Sequence, residues 1–249
     1  MQAGRMMPRS AMVLAAGLGL RMRPVTDDRP KPLVKVAGRT MIDRVFDRLE
    51  MFGIDRVVIN SHYLADQMEA HIAARATPTT EISHEVSLLD TGGGIAKALQ
   101  QLGEDPFFAI NADIVWLDGR TPALDRLADA WNGDRMDALL LVQGTAKAFG
   151  YRGRGDYDVD QIGRMFRRRE RDVAPYVFTG IQILHPRLFT DVPCGPFSLN
   201  VLYDRAESSG RLQAIVHDGE WFHIGTPAAL AESEAELSGR TRTTELRTR

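Results

Sequence analysis

The run Leu14-Ala15-Ala16-Gly17-Leu18-Gly19-Leu20-Arg21 carries a short apolar stretch, Ala11 to Ala16, into two glycines and an arginine. At the carboxyl end of a first buried strand, such a loop lets backbone N–H groups approach phosphate oxygens. The Arg21 guanidinium adds a fork of charged donors. A dinucleotide-binding loop would need Gly-x-Gly-x-x-Gly opening straight into a helix, but Met22 holds the sixth position and Pro24, Pro30 and Pro32 forbid a helix there. The Gly-Lys-Ser/Thr ending of a Walker loop is absent. Lys31 stands between two of these prolines. Arginine carries nearly all the positive charge, and only four lysines occur (Lys31, Lys35, Lys97, Lys147), so a lysine in a stiffened frame reads as a placed point charge.

Three further groups could join such a phosphate site. A strand Phe107 to Asn111 ends in Asn111-Ala112-Asp113, where a carboxylate facing the crevice would suit an oxygen-liking Mg²⁺. The segment Glu85 to Gly94 ends in three glycines before a helix expected near Ile95, so a flat base could lie against backbone N–H groups free to meet its carbonyls. Asn60, ending the second strand, can donate and accept at a base or sugar, or serve as a plain strand-end hydrogen-bonding residue.

The elements that must hold these residues follow from apolar spacing. Helical periodicity covers Met41 to Phe52, and an alternation follows: strand Arg56 to Asn60, helix Leu64 to Ala74, strand Glu81 to Val86, helix Ile95 to Leu102, strand Phe107 to Asn111, helix Pro122 to Trp131, strand Ala138 to Val142. This predicts an α/β chain with a mainly parallel, mixed sheet and helices on both faces, a Rossmann-like arrangement. Tyr151 to Phe166 has poor periodicity. Beyond it are expected a strand Tyr176 to Leu184, a helix near Leu199 to Ser208, a strand Leu212 to His217 and a last helix Pro227 to Leu237. The expectation is one domain over residues 1–237, with a nucleotide-type half (1–143), a second half completing the sheet (144–237) and a disordered tail (238–249).

Composition sets outer limits. Thirty-one Lys and Arg against thirty-three Asp and Glu leave a net charge of −2, which gives no general field for a nucleic-acid backbone. With Cys194 alone, neither an internal disulfide nor a cysteine-rich zinc site can form, as suits a reducing compartment. No apolar run approaches the ~18–20 residues of a membrane span and no export signal is evident, so a cytoplasmic protein without a membrane partner, a monomer or small homo-oligomer, is expected.

Gly-x-Gly-x-Arg-x-x-Pro-x-Thr (Gly17 to Thr26) followed by Pro30-Lys31-Pro32-Leu33 resembles the signature of the sugar-1-phosphate nucleotidylyltransferases, and the resemblance runs from Ser10 to about Leu237. Within that family, Leu-Asp-Thr-Gly-Gly-Gly and the compact length are most similar to the short bacterial enzymes that uridylylate N-acetylmuramate α-1-phosphate in peptidoglycan recycling. The resemblance implies a nucleotidyltransferase fold, an NTP and a sugar 1-phosphate as substrates, and Mg²⁺, or Mn²⁺, as cofactor. It assigns Ala15, Ala16, Gly17, Gly19, Arg21, Asn60, Glu85, Thr91 and Gly92 to the nucleotide. Arg21, Lys31 and Asp113 become the catalytic set, and Asn111, Arg168, Thr179 and Gly180 fall on the sugar-phosphate side. A second metal-binding aspartate is usual just before Val/Ile-Gly-Thr-Pro, and here His223 takes its place in Trp221-Phe222-His223-Ile224-Gly225-Thr226-Pro227. His223 is then a metal ligand, a phosphate contact or a satisfied core histidine. Glu85 taken alone suits the paired N–H groups of guanine, whereas the whole pattern points to UTP. The alternatives are a guanylyltransferase acting on mannose or heptose 1-phosphate, and a catalytically idle subunit that senses nucleotide sugars.

Overall fold

A computed structural model of the chain describes residues 7–247, with side chains described through residue 239. Short apolar runs form a nine-stranded mixed sheet. Strands β1 (Ser10–Leu14), β4 (Arg56–Ser61), β5 (Thr79–His84) and β6 (Phe107–Asn111) are parallel neighbours in the order β5-β4-β1-β6. Strand β12 (Tyr176–Leu184) runs antiparallel between β6 and β8 (Ala138–Gly144), and β13 (Leu212–Val216) lies parallel to β8 on its far side. Two short strands, β10 (Tyr157–Val159) and β11 (Met165–Arg167), extend the sheet from the start of β12, within the stretch whose periodicity is poor.

Alternation along each strand sends side chains to two cores. On one face Val13, Ile59, Ile110 and Leu141 join residues of α1 (Met41–Phe52), α2 (Ala65–Ala73) and α4 (Ala123–Ala130). On the other, Met12, Val58, Ala109 and Leu140 meet α3 (Asp90–Leu102) and α5 (Asn200–Ser208). The boundaries of α1 follow from its ends: the Thr40 hydroxyl accepts the Asp43 N–H at 3.2 Å, and Gly53 closes the helix at φ +90°.

A third layer supports the glycine loop. Strands β7 (Val115–Leu117), β14 (Glu220–Phe222) and β9 (Ala148–Phe149) form a small sheet, and β2 (Lys35–Val36) pairs with β3 (Arg39–Thr40). Their core gathers Met22, Val34, Val36, Phe222 and Ile224, so the loops that carry Arg21 and Lys31 are pinned from beneath.

Two helix limits differ from the expectation. Helix α3 starts at Asp90, so the three glycines lie inside its first turns rather than before it. The last helix, α6 (Pro227–Arg247), continues past Leu237 through the segment read as a disordered tail. No proline interrupts that segment, and Gly239 alone costs only about 1 kcal/mol relative to alanine. The end of that tail, residues 248 and 249, lies outside the described residues. Among the described residues no helix is long and apolar enough to cross a membrane.

Candidate active site

The chain runs from β1 to β4 and β5 on one side and then crosses to β6 on the other. A sheet with this switch opens a crevice at the carboxyl ends of the diverging strands. A cavity of about 650 Å³ lies there, lined by Ala15, Ala16, Gly17, Gly19, Arg21, Lys31, Asn60, Glu85, Thr91, Asn111 and Asp113. Residues spread over a hundred positions of sequence thus meet at one place.

At one end are the cations. Gly19 takes φ +64°, its carbonyl accepts the Thr26 hydroxyl at 2.9 Å, and a Cβ on it would sit 3.2 Å from the Lys31 Cβ. Glycine therefore lets the two loops close on each other. Only a single 3₁₀ turn, Leu20–Met22, follows the glycines, as the prolines require. Arg21 is exposed and has no side-chain partner among the described residues. Lys31 opens a second 3₁₀ turn, and its Nζ donates to Asp113 Oδ2 at 2.6 Å, with the two side chains 12% and 35% exposed.

At the other end is a buried polar relay. Asn60 Oδ1 accepts the Ala15 N–H at 2.7 Å, Asn60 Nδ2 donates to Glu85 Oε1 at 2.7 Å, and Glu85 Oε2 accepts the Leu89 N–H at 2.9 Å. Gly94 makes room for it, since a Cβ there would fall 2.8 Å from Glu85 Oε1. Both Glu85 oxygens are thus engaged by the protein, which weakens the argument that this carboxylate alone selects guanine.

The glycine run itself needs correction. The N–H groups of Gly92 and Gly93 donate to the Phe197 carbonyl at 2.9 and 3.1 Å, so they are not free for a base, and Gly92 is absent from the cavity lining. Thr91 does line it, with its hydroxyl accepting the Leu199 N–H at 3.0 Å. Leu18, Leu20, Leu88 and Asp90 line the cavity as well, with no role expected of them from sequence, and so does Pro196. Asp90 holds φ +58°, a conformation that nothing in its sequence context signals.

The structure separates the four residues expected on a sugar-phosphate side. Gly180 sits at φ +85° against Asn111, whose Nδ2 would be 2.8 Å from a Cβ there, and β12 is irregular between Phe178 and Gln182. Gly180 shapes the wall behind Asn111 and does not itself line the cavity. Thr179 points into the core: its hydroxyl donates to the Leu141 carbonyl at 2.7 Å, and its carbonyl accepts the Trp221 indole N–H at 2.9 Å. Arg168 lines a second cavity, where its guanidinium donates to the carbonyls of Gly155, Arg169, Glu170 and Asp172. A guanidinium spent on four carbonyls is a loop organiser.

His223 is half-buried against Tyr151 and Trp221, with ring centroids 5.7 and 5.6 Å away. Burial lowers its pKa, and the charges of Lys31 and Arg21 lower it further, so the ring is neutral at physiological pH. Asp113 opposes that shift, which puts the histidine within electrostatic reach of the carboxylate. Among the described residues no group of three or more His, Cys, Asp or Glu could hold a metal. That donor set does not make a closed metal cage. It fits an ion that keeps water and substrate phosphate oxygens in its shell and takes one carboxylate from the protein, as Mg²⁺ does.

Fold and site together define a nucleotidyltransferase: an α/β sheet with a glycine loop, two cations and a carboxylate at its switch point. The chain belongs to the family of the MobA-like NTP transferase domain, whose model matches residues 11–242. It is 43% identical to the N-acetylmuramate alpha-1-phosphate uridylyltransferase of Caulobacter vibrioides, over 93% of this chain and 98% of that protein. It is 31% identical to the enzyme of the same name from Neisseria meningitidis serogroup B, over 90% and 96%. The fold is shared with HddC from Yersinia pseudotuberculosis complexed with GMP-PN (TM-score 0.75, 22% identity, 92% of this chain and 99% of that one). A UDP-glucose pyrophosphorylase from Acinetobacter baumanii shares it too (TM-score 0.78, 17% identity, 98% and 100%). The protein is an enzyme of the sugar-1-phosphate nucleotidyltransferase kind.

Proposed function

We propose that the enzyme joins UTP to N-acetylmuramate α-1-phosphate, giving the UDP-sugar and pyrophosphate. The observation that carries this reading is the 43% identity to the Caulobacter vibrioides uridylyltransferase across nearly the whole of both chains. The mannose-1-phosphate guanylyltransferase of Xenopus tropicalis is 26% identical, and this chain covers 61% of it. Guanylyl transfer is the weaker reading on that ground, and also because Glu85 already accepts from Asn60 and Leu89.

In the reaction an oxygen of the sugar phosphate forms a bond to the α-phosphorus while the bond to the bridging oxygen of pyrophosphate breaks. Such transfer needs positioning and neutralised charge more than covalent chemistry. The backbone of Gly17 and Gly19 approaches the triphosphate, Arg21 binds its oxygens as a fork, and Lys31 neutralises charge at the α-phosphate. The Asn60–Glu85 relay fixes the Ala15 backbone beside the base, and Asn111 faces the incoming sugar phosphate. A divalent ion, Mg²⁺ or Mn²⁺, would be held by Asp113, with His223, which feels the charge of Asp113, as a candidate second donor, and would supply charge neutralisation on the phosphates. Lys31 releases Asp113 when phosphate arrives, because the nucleotide offers the ammonium a new anion. Arg21, Lys31 and Asp113 in one cavity argue against an idle sensor. A pyrophosphate-release assay of each of the four NTPs against a panel of sugar 1-phosphates tests the reading. Turnover greatest with UTP and N-acetylmuramate 1-phosphate is expected, and preference for another pair would overturn it.

A further inference from the structure

N-Acetylmuramate differs from N-acetylglucosamine by a lactyl ether that ends in a carboxylate. An enzyme that selects the former needs room for that arm and a cation to meet it. In the proposed function the first cavity's cations, Arg21 and Lys31, serve the triphosphate. A second cavity of about 680 Å³ opens on the same end of the sheet, lined by the start of β12, by α5 and by the arginine run 167–169. No residue lines both cavities, but neighbouring stretches of chain do. Phe178 of the second lies two residues before Gly180, which touches Asn111 of the first, and Asn200 of the second follows Leu199, whose N–H is held by Thr91 of the first.

The three arginines are not equivalent. Arg167 Nη1 is engaged by both oxygens of Asp204, at 2.7 and 2.6 Å. Arg168 is tied to four backbone carbonyls, and its own N–H donates to the Asp156 carbonyl at 2.8 Å. Of the remaining carboxylates lining the cavity, Asp156 accepts the Phe178 N–H at 2.9 Å, and Glu170 sits on the exposed rim. Arg169 alone of the three has a guanidinium with no partner among the described residues, and it lines the cavity. Its backbone is nonetheless fixed, because its carbonyl accepts both Arg168 Nη1 at 2.9 Å and the Asp172 N–H at 3.1 Å. An uncommitted guanidinium on a braced backbone is available to a carboxylate, which it can bind through two parallel bonds.

Resting on the function proposed above, we infer that Arg169 is the residue that recognises the carboxylate of the sugar's lactyl arm, with the second cavity as that arm's seat. The test compares N-acetylmuramate 1-phosphate with N-acetylglucosamine 1-phosphate, which carries the same phosphate and lacks the lactyl group. Binding of each to wild-type enzyme, R169Q and R171A is measured by calorimetry with a non-hydrolysable UTP analogue, and kcat/KM is measured wherever turnover occurs. R171A controls for general charge, since Arg171 does not line the cavity. R169Q should weaken N-acetylmuramate 1-phosphate by about tenfold to a hundredfold, the effect of losing a charge-assisted pair, and leave N-acetylglucosamine 1-phosphate within about twofold. R171A should change neither, and the melting temperature should stay level. An equal loss for both sugars would place Arg169 on the shared phosphate or in loop structure and overturn the assignment, as would no loss for either. Wild-type enzyme that fails to bind or turn over N-acetylmuramate 1-phosphate would overturn the function reading itself, a result visible before any variant is made.

Discussion

The contact between Lys31 and Asp113 states at residue scale what the site must do. The Lys31 side chain is largely covered while Asp113 keeps about a third of its surface in solvent, so the pairing matters most to the lysine, and removing Asp113 leaves a largely covered ammonium without its anion. Lys31→Ala should lower turnover several hundredfold or more, because a preorganised charge contact to a transferring group contributes about 3–4 kcal/mol. Steady-state kinetics on a variant with an unaltered far-UV spectrum checks this, and wild-type turnover would remove Lys31 from the mechanism. Asp113→Asn should preserve the fold and shift the Mg²⁺ titration midpoint of activity upward by about tenfold or more. Asn60→Ala touches the relay instead. It strands the Ala15 N–H and one oxygen of a buried carboxylate, so a stability loss of about 2–3 kcal/mol is expected in urea unfolding.

At the scale of elements, the contact that joins α3 to the segment before α5 is backbone on backbone. Gly92 and Gly93 reach the Phe197 carbonyl only because they lack side chains: a Cβ on Gly92 would lie 2.3 Å from the Phe197 ring and 2.9 Å from its carbonyl oxygen. Gly92→Ala should therefore destabilise the protein by about 1–3 kcal/mol and raise KM for the nucleotide, since Thr91 and Pro196 on either side of the contact both line the cavity. The same contact explains a misreading. Glycine is a poor helix former, so the sequence argued for a loop until Ile95, yet the first N–H groups of a helix have no partner within it and here find one 100 residues away. Strands β6 and β12 and helix α1 were legible because local apolar spacing alone determines them. The small sheet β7-β14-β9 was not. Its strands are two or three residues long, too short for periodicity, and their pairings, Trp221 with Trp116 and with Ala148, join distant parts of the chain. That Gly17, Gly19, Arg21 and Lys31 would come together was readable from the Gly17–Leu33 motif, whereas the engagement of Thr179 and Arg168 in structural bonds depends on which way a side chain turns, and residue type does not encode that.

Over the whole molecule, the buried histidines couple stability to pH. His217 joins β13 to β14 and is nearly inaccessible; its Nε2 lies 3.1 Å from the Leu117 carbonyl and 3.3 Å from that of Glu220, so it donates there, and its Nδ1 is buried with no acceptor. Burial is the main reason its pKa is lowered, outweighing the carbonyl bonds that raise it; His223 and His185 are lowered too, again chiefly by burial. In the unfolded chain these rings protonate near pH 6.5 and in the folded protein only at lower pH, so between those values the unfolded state binds more protons. Stability is then full above about pH 6.5 and falls as pH drops toward the folded pKa values. The carboxylates of Asp43 and Asp137 act elsewhere. Their pKa values are lowered below 3.8 by their partners, the Thr40 hydroxyl and His71 for Asp43 and Arg187 and Arg211 for Asp137, against burial that acts to raise them, so their contribution is lost only in more acidic solution. Melting temperatures of wild-type enzyme should decline between pH 7.5 and 5.5. His217→Gln keeps an N–H donor near the two carbonyls but cannot titrate, so its melting curve should start lower at pH 7.5 and decline less over the same interval. Parallel wild-type and variant profiles would show that His217 protonation does not link pH to folding.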